Sequence, residues 1–135
     1  MQPAGPTSIP RSSSPVLLAD GCAFGRRQVR KVLADLGFGQ VYEAADGAEA
    51  VGILDAVRPR LAVLDWDLKV IGAADVLELV RSGGAEGHAP PVLVTMAYPS
   101  RAAVEQAVFS GIGHIVAKPY CDRTMRSRLS RLAAP

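Results

Sequence analysis

Leu61-Ala62-Val63-Leu64-Asp65 is the segment that decides the fold, because it is a continuous apolar run that ends in a carboxylate. Short runs of this kind are typical of strands that are buried on both faces of a parallel sheet. Three similar runs occupy residues 16–19, 92–94 and 114–117, and the polar residues that follow them are Asp20, Thr95 and Lys118. The pattern predicts a parallel sheet in which several strands end at a polar side chain.

Amphipathic segments lie between these runs. Residues 24–36 place apolar side chains at the i, i+3, i+4, i+7 spacing of a helix, namely Val29, Val32, Leu33 and Leu36. The same reasoning predicts a strand over 40–44 and helices over 47–57, 73–81, 101–109 and 122–132, the last with Asp122 as its N-cap. Five strands alternating with five helices predict an α/β fold, a (βα)5 three-layer doubly wound parallel sheet.

The composition is that of an ordinary globular domain. The chain has 135 residues, 49% of them hydrophobic and 21% charged, which suffices for one domain with a real core. A net charge of +2 is too small to argue for nucleic acid or an anionic membrane. No apolar run approaches the roughly 20 residues of a membrane-spanning helix, and a secretory signal pattern is missing. We therefore expect a cytoplasmic protein with neither nucleic-acid nor membrane partners.

Three features have a plain structural explanation. Residues 1–15 are rich in Pro and Ser, so we expect a flexible leader ahead of a domain that spans residues 16–133. Cys22 and Cys121 are too few for a disulfide framework, and we expect reduced thiols. The last helix carries four arginines after Asp122, which are typical of a solvated charged face or, alternatively, of a surface that docks on an acidic partner.

The polar residues at the strand ends predict the functional site. In parallel α/β sheets function gathers at the carboxyl ends of the strands, which brings Asp20, Asp65, Thr95 and Lys118 to one edge. Asp65 is suited to attack phosphorus, with a divalent cation such as Mg²⁺ held by Asp65 and Asp20, and with Thr95 and Lys118 as donors to phosphoryl oxygens. Taken singly, each residue has another explanation: a helix cap, a strand filler or a surface lysine.

Residues 16–132 resemble the receiver domain of bacterial two-component response regulators, in particular the stand-alone, CheY-like chemotaxis type. The matching segments are 16–20 (VLLAD), 26–27 (RR), 36–38 (LGF), 43–50 (EAADGAEA), 64–68 (LDWDL), 92–95 (VLVT) and 118–119 (KP). The resemblance implies a flavodoxin-like sheet with strand order 2-1-3-4-5.

The resemblance also implies a role for each matching residue. Asp65 would be the phosphoacceptor, Thr95 the switch hydroxyl and Lys118 the phosphoryl partner, and the peptide bond from Lys118 to Pro119 would be cis. Asp20 would be the first member of an acidic pair that binds Mg²⁺. The implied activity is that of a signalling protein rather than an enzyme. It would take phosphate from a histidine kinase or phosphotransfer protein and contact a downstream protein through the fourth helix, fifth strand and fifth helix, with a homodimer as a further expectation.

The sequence departs from the family pattern in the acidic pair. Gly21 stands where the family has its second acid, which is a direct metal ligand. A carboxylate about 4 Å from a unit charge contributes on the order of 4 kcal/mol of gross attraction at an effective dielectric near 20, so we expect weak Mg²⁺ binding. Asp67 is a candidate substitute ligand, through its carboxylate or its backbone carbonyl, alongside Asp20 and Asp65.

Further departures concern the loop after Asp65 and the switch. Lys69 replaces the usual Pro, and Gly72-Ala73 replaces Asp-Gly. Met96 follows Thr95 where a small residue would let phosphate approach. Ile115 occupies the aromatic switch position and has no ring to rotate, although Tyr98 or Tyr120 could take its part.

Two interpretations follow from this mixture. In one, the domain accepts phosphate at Asp65 and signals through its last helices. In the other, it is a degenerate pseudo-receiver that acts as a phosphorylation-independent interaction module. Two other classes fit less well: a flavin or nucleotide binder lacks its glycine-rich loop after the first strand, and a hydrolase that uses Cys22 lacks an evident base, with His88 and His114 placed elsewhere.

Overall fold

The computed structural model of the protein describes residues 10–82 and 89–133. Five strands alternate with five helices along this part of the chain. The strands are β1 (Pro15–Ala19), β2 (Gln40–Ala44), β3 (Leu61–Asp65), β4 (Val92–Met96) and β5 (His114–Ala117). The helices are α1 (Ala23–Asp35), α2 (Gly47–Ala56), α3 (Ala73–Ser82), α4 (Arg101–Phe109) and α5 (Asp122–Leu132). The predicted alternation is confirmed, with boundaries that differ by only one or two residues.

The strands form one parallel sheet in the order β2-β1-β3-β4-β5, so the predicted strand order is confirmed. Its register aligns Ala19 with Leu64, and Asp65 with Thr95. Because parallel strands place all their carboxyl ends at one edge, the loops after β1, β3, β4 and β5 meet there.

Two apolar cores cover the two faces of the sheet. Alternate residues of each strand point to opposite faces, so Leu17, Leu64 and Val94 belong to one core, which α2, α3 and α4 cover. Leu18, Val63 and Leu93 belong to the other core, covered by α1 and α5. Complete burial of a leucine side chain contributes about 1.5–3 kcal/mol, so these central strands fix the layered architecture.

The described part of the chain begins within the predicted leader. Arg11–Ser13 form a short 3-10 helix, and the Arg11 guanidinium donates a hydrogen bond to the carbonyl of Leu36 at 2.9 Å. The same guanidinium lies 5.5 Å from the ring centroid of Phe38. Residues 10–15 thus pack on the domain rather than forming part of a flexible leader, while residues 1–9 lie outside the described residues.

Local capping fixes where the helices begin. Asp46 accepts a hydrogen bond from the backbone N–H of Glu49 at 2.8 Å, and the Glu49 carboxylate accepts one from Ala45 at 2.9 Å, which together form a capping box at α2. The N-cap of α5 is Cys121, and Asp122 is the first helical residue, so the prediction of Asp122 as the cap is wrong by one position. In the described ranges, no helix is long and apolar enough to cross a membrane.

Candidate functional site

The four predicted polar residues lie at the same edge of the sheet. Asp20 directly follows β1, Asp65 ends β3, Thr95 lies near the end of β4 and Lys118 directly follows β5. Asp20, Asp65 and Thr95 are all buried, with at most 8% of their surface exposed. Buried carboxylates need charged or hydrogen-bonding partners, so their contacts define the pocket.

Lys118 joins the two carboxylates. Its ammonium nitrogen lies 3.0 Å from Oδ2 of Asp20 and 3.4 Å from Oδ2 of Asp65. The lysine side chain is 24% exposed, and the carboxylate side chains are 6% and 11% exposed, so solvent screens these ion pairs only in part. With all three groups ionised, the pocket carries a single net negative charge.

Backbone N–H groups hold the remaining carboxylate oxygens. Cys22 donates to Oδ1 of Asp20 at 2.8 Å, and Asp67 donates to Oδ1 of Asp65 at 3.2 Å. A Cβ atom at Gly25 would lie 3.3 Å from Oδ2 of Asp20, so the glycine lets the first turn of α1 approach this carboxylate closely. Both aspartates are therefore fixed in orientation by the chain that follows them.

The electrostatics of the pocket follow from burial and from these contacts. Burial raises the pKa of the Asp65 carboxyl above its ordinary 3.8, although the Asp67 N–H and the Lys118 ammonium act in the opposite direction. Burial also disfavours the charged form of Lys118. The hydrogen bond to Asp20 and the attraction of both carboxylates outweigh this effect, so the pKa of Lys118 rises above 10.5. Lys118 is consequently an ammonium throughout the physiological pH range.

The loop after β5 completes the pocket wall. The peptide bond between Lys118 and Pro119 is cis, as the resemblance implies. The backbone N–H of Lys118 donates to the carbonyl of Met96 at 2.8 Å, which ties this loop to the end of β4. Tyr120 is half-buried, and burial together with the nearby Asp20 carboxylate raises its pKa to about 12.

The predicted metal ligands are only partly brought together. Asp20 and Asp65 meet at Lys118, but Asp67 is exposed and contacts Asp65 through its backbone N–H. Across residues 10–82 and 89–133, no three Asp, Glu, His or Cys side chains are arranged to hold a metal ion. The Asp67 carboxylate therefore does not join Asp20 and Asp65 in a three-acid group, and the backbone carbonyl of Asp67 stays a predicted ligand. An ammonium already bridges the two remaining acids, so the residues present do not fit a resident Mg²⁺.

The switch residues differ in exposure. Met96 is buried in the core on the α2–α4 side of the sheet, so its bulk is absorbed there. Ile115 is partly buried against the same core. Tyr98 is 85% exposed, whereas Tyr120 is half-buried. We call the surface formed by α4, β5 and α5 the output face; on α4, Phe109 is 95% exposed and Val108 58%.

The arginines of α5 are divided between internal contacts and solvent. Arg126 pairs with Asp35 of α1 at 2.9 Å, and Arg128 donates to the carbonyl of Ile115 at 3.2 Å. Arg123 and Arg131 are exposed. Two of the four arginines of α5 thus contact other parts of the domain.

The loop between β3 and α3, where the sequence departs from the family, contains a residue with a positive φ. Val70 has a positive φ of 70°, which a β-branched residue rarely adopts. The carbonyl of Lys69 accepts the backbone N–H of Gly47 at 2.9 Å. A Cβ atom at Gly47 would collide with the Ile71 carbonyl, so only glycine lets the start of α2 pack on this loop.

Sequence reasoning missed one contributor to the pocket. Arg26 donates from Nη1 to the backbone carbonyl of Asp20 at 2.6 Å, and its Nε lies 3.3 Å from Glu43 of β2. Its position in α1, six residues after Asp20, is the signal that could have identified it. The hydrolase alternative gains no support within the described residues, because Cys22 caps α1 at the carboxyl edge of the sheet and His114 begins β5 at the opposite edge. His88 lies outside the described residues.

Comparison with known proteins agrees with this geometry. A family model for the response regulator receiver domain matches residues 16–130. The chain belongs to this family. The receiver domain is 28% identical over 117 residues to chemotaxis protein CheY-3 of Vibrio cholerae, covering 87% of this chain and 89% of the relative. Its identity to CheY of Pseudomonas aeruginosa is also 28% over 117 residues, covering 87% and 94% of the two chains.

A solved structure shows the same fold. Chemotaxis response regulator CheY4 of Vibrio cholerae superposes with a TM-score of 0.76 at 25% identity, covering 88% of this chain and 98% of that one. The protein is thus a CheY-like receiver domain of two-component signalling. CheY-like receiver domains interact with histidine kinases and downstream targets, and in general they bind Mg²⁺ in the acidic pocket. In this pocket Asp20 and Asp65 are the two acids beside Lys118, and Gly21 follows Asp20.

Proposed function

We propose that Asp65 is a phosphoacceptor that takes a phosphoryl group from a phosphohistidine of a histidine kinase or phosphotransfer protein. One observation carries the proposal. The Asp65 carboxylate lies at the carboxyl end of β3, 3.4 Å from the Lys118 ammonium and beside Thr95 in the sheet register. A nucleophilic carboxylate with a cation and a hydroxyl next to it suits phosphoryl transfer.

The transfer exchanges one bond to phosphorus for another. The P–N bond to the donor imidazole breaks, and a P–O bond to an Asp65 oxygen forms. The imidazole leaves with the bonding electron pair and takes up a proton from water. Lys118 and Thr95 donate hydrogen bonds to the phosphoryl oxygens, which bring about two negative charges to Asp65.

In this proposal the protein is a signalling switch and does not turn over other substrates. Phosphorylation adds negative charge next to Lys118, whose backbone N–H donates a hydrogen bond to Met96 at the end of β4. The change would reach the output face through β4 and β5 and alter contacts with a downstream protein. A homodimer through the same face is a further expectation.

A phosphorylation-independent interaction module is the second candidate. It is favoured by the ion pair from Lys118 to Asp65, which already compensates the charge of the acceptor, and by Ile115, which offers no ring to rotate. In that case the output face would bind its partner in a single conformation.

Intact-mass measurement after incubation with acetyl phosphate and Mg²⁺ separates the two candidates. We expect wild type to gain the mass of one phosphoryl group, and Asp65→Asn to gain none. Asp55→Asn, which changes an exposed acid on α2, is the matched control and should be modified like wild type. An unmodified wild type, also after incubation with a phosphorylated histidine donor, would overturn the phosphoacceptor proposal in favour of the interaction module.

A further inference from the structure

We infer that the Lys118 ammonium takes the place of the divalent cation in this pocket, so that phosphoryl transfer to Asp65 is independent of Mg²⁺. The statement about transfer rests on the proposed function. The statement about cation binding rests on the contacts of three side chains and can be tested separately.

The first argument is the position of the ammonium. A bridging Mg²⁺ would contact oxygens of both Asp20 and Asp65, and Lys118 contacts an oxygen of each at 3.0 and 3.4 Å. The lysine stem is anchored by its backbone hydrogen bond to Met96. The cation that bridges the two carboxylates is thus covalently part of the chain.

The second argument is that the carboxylate oxygens already have donors. Oδ1 of Asp20 accepts the N–H of Cys22, Oδ1 of Asp65 accepts the N–H of Asp67, and each Oδ2 faces Lys118. Mg²⁺ gives up its water reluctantly and needs near-octahedral oxygen ligands. To reach the two carboxylates it would have to displace the Lys118 ammonium, and Gly21 supplies no further acid to favour that exchange.

The third argument is the residue at position 21. Gly21 has no side chain to contribute, and the only atom close to a Cβ placed there is the Ala45 carbonyl oxygen at 3.5 Å, an ordinary contact. Space for an acid is therefore present, and Gly21 is not in the left-handed region of the backbone. The backbone and its neighbours would therefore accept an aspartate at position 21, and the ligand is missing only because the residue there is glycine.

The Lys118 ammonium also has enough hydrogen-bond donors to contact both carboxylates and a phosphoryl group. An ammonium group has three N–H donors; one donates to Asp20 and a second faces Asp65 in an ion pair at 3.4 Å. The third is left for a phosphoryl oxygen that approaches Asp65. Lys118 can therefore hold the acceptor and compensate the transferred charge at the same time.

Direct cation binding is the first test. Trp66 is the only tryptophan and directly follows Asp65, so its fluorescence reports on the pocket during titration with Mg²⁺, and electron paramagnetic resonance of Mn²⁺ gives an independent readout. We expect no saturable binding by wild type. Gly21→Asp should gain affinity by at least the roughly tenfold that even outer-shell partners contribute to metal sites. Gly21→Asn, which has the same shape without the charge, is the matched control and should stay like wild type.

Removal of the ammonium tests its role as the competitor. Lys118→Met should bind Mg²⁺ more tightly than wild type, because two buried carboxylates are left without a cation, and Lys118→Arg should not. Lys118→Gln provides the same test if the methionine variant does not fold. Saturable Mg²⁺ binding by wild type would overturn the inference.

Phosphorylation kinetics complete the test. Wild type should be modified by acetyl phosphate at the same rate in Mg²⁺ and in EDTA, whereas Gly21→Asp should be accelerated by Mg²⁺. Modification of wild type only in Mg²⁺ would overturn the inference and leave the phosphoacceptor function intact. Failure of modification in both conditions would instead overturn the proposed function, and the binding titrations would still decide whether Lys118 replaces the cation.

Discussion

The acid pocket and the output face lie next to each other, yet their side chains are in opposite environments. In the pocket, Asp20 and Asp65 are buried and every carboxylate oxygen has a donor. On α4, Phe109 and Val108 are large apolar side chains that lie in solvent. The first region buries charged groups, and the second exposes large apolar groups.

The residues of the two regions depend on their neighbours in the domain to different degrees. A buried carboxylate without a partner is costly, so Asp20, Asp65 and Lys118 depend on one another, and a change in one alters the energy of the others. An exposed phenylalanine has no such dependence within the domain, so its identity is free to follow a partner. Substitutions in the two regions should therefore have very different effects on stability, and three predictions test this.

The largest effect is expected for Lys118→Met. The substitution leaves two neighbouring buried carboxylates without a cation, which costs 3–5 kcal/mol for a fully buried pair, and partial exposure of the lysine reduces this to about 2 kcal/mol. Because the folded-state pKa of Lys118 is raised, its contribution is fully present below pH 10.5 and is lost as the pH rises through the raised value. Urea unfolding measures the loss at neutral pH.

Lys69→Met is the control for this prediction, because Lys69 is exposed in the loop after β3. It should change the free energy of unfolding by less than about 0.5 kcal/mol. Equal effects of the two substitutions would show that the ion pairs of Lys118 contribute nothing to stability, and the contrast between pocket and surface would fail.

A smaller effect of the opposite sign is expected for Asp65→Asn. Burial raises the folded-state pKa of Asp65, so the folded protein binds this proton more tightly than the unfolded chain, and ionisation costs stability. The cost develops as the pH rises from the ordinary value of 3.8 through the raised value and is complete above it. Asparagine removes it, so the variant should be more stable than wild type by about 1 kcal/mol at neutral pH.

Urea unfolding of wild type and Asp65→Asn across the pH range measures this difference. It should shrink in acid, where the wild-type carboxyl is protonated. Asp55→Asn on the exposed side of α2 should show no such trend. A destabilised Asp65→Asn at neutral pH would mean that the ion pair with Lys118 outweighs the burial of Asp65.

The smallest effect is expected for Phe109→Ser. Because this ring is 95% exposed, its removal should change the free energy of unfolding by less than about 0.5 kcal/mol. Thermal unfolding followed by circular dichroism is sufficient to measure it. A loss as large as that of Lys118→Met would show that Phe109 is part of the core in solution, and the two regions would no longer differ.

Periodicity and strand-end residues were sufficient to predict the architecture and the edge of the sheet that carries the site. Two errors in detail have physical reasons. Residues 10–15 have few large apolar groups, and they are held by Arg11 contacts with Leu36 and Phe38, which lie far along the chain. A helix boundary shifts easily by one residue, as at Asp122, because neighbouring positions cap almost equally well. Which part of Asp67 faces the pocket could not be predicted: its side chain is exposed, and its backbone N–H donates to Asp65.

The sequence by itself determined the layered α/β fold and the convergence of Asp20, Asp65, Thr95 and Lys118, because strand periodicity and parallel topology leave one edge for all strand ends. Only the tertiary structure decided that Lys118 contacts Asp20 as well as Asp65. The lysine and Asp20 are 98 residues apart, and their contact depends on the relative placement of β1 and β5 in the folded sheet. Packing of the core sets this placement of the two strands, and the placement in turn brings the Lys118 ammonium to both carboxylates.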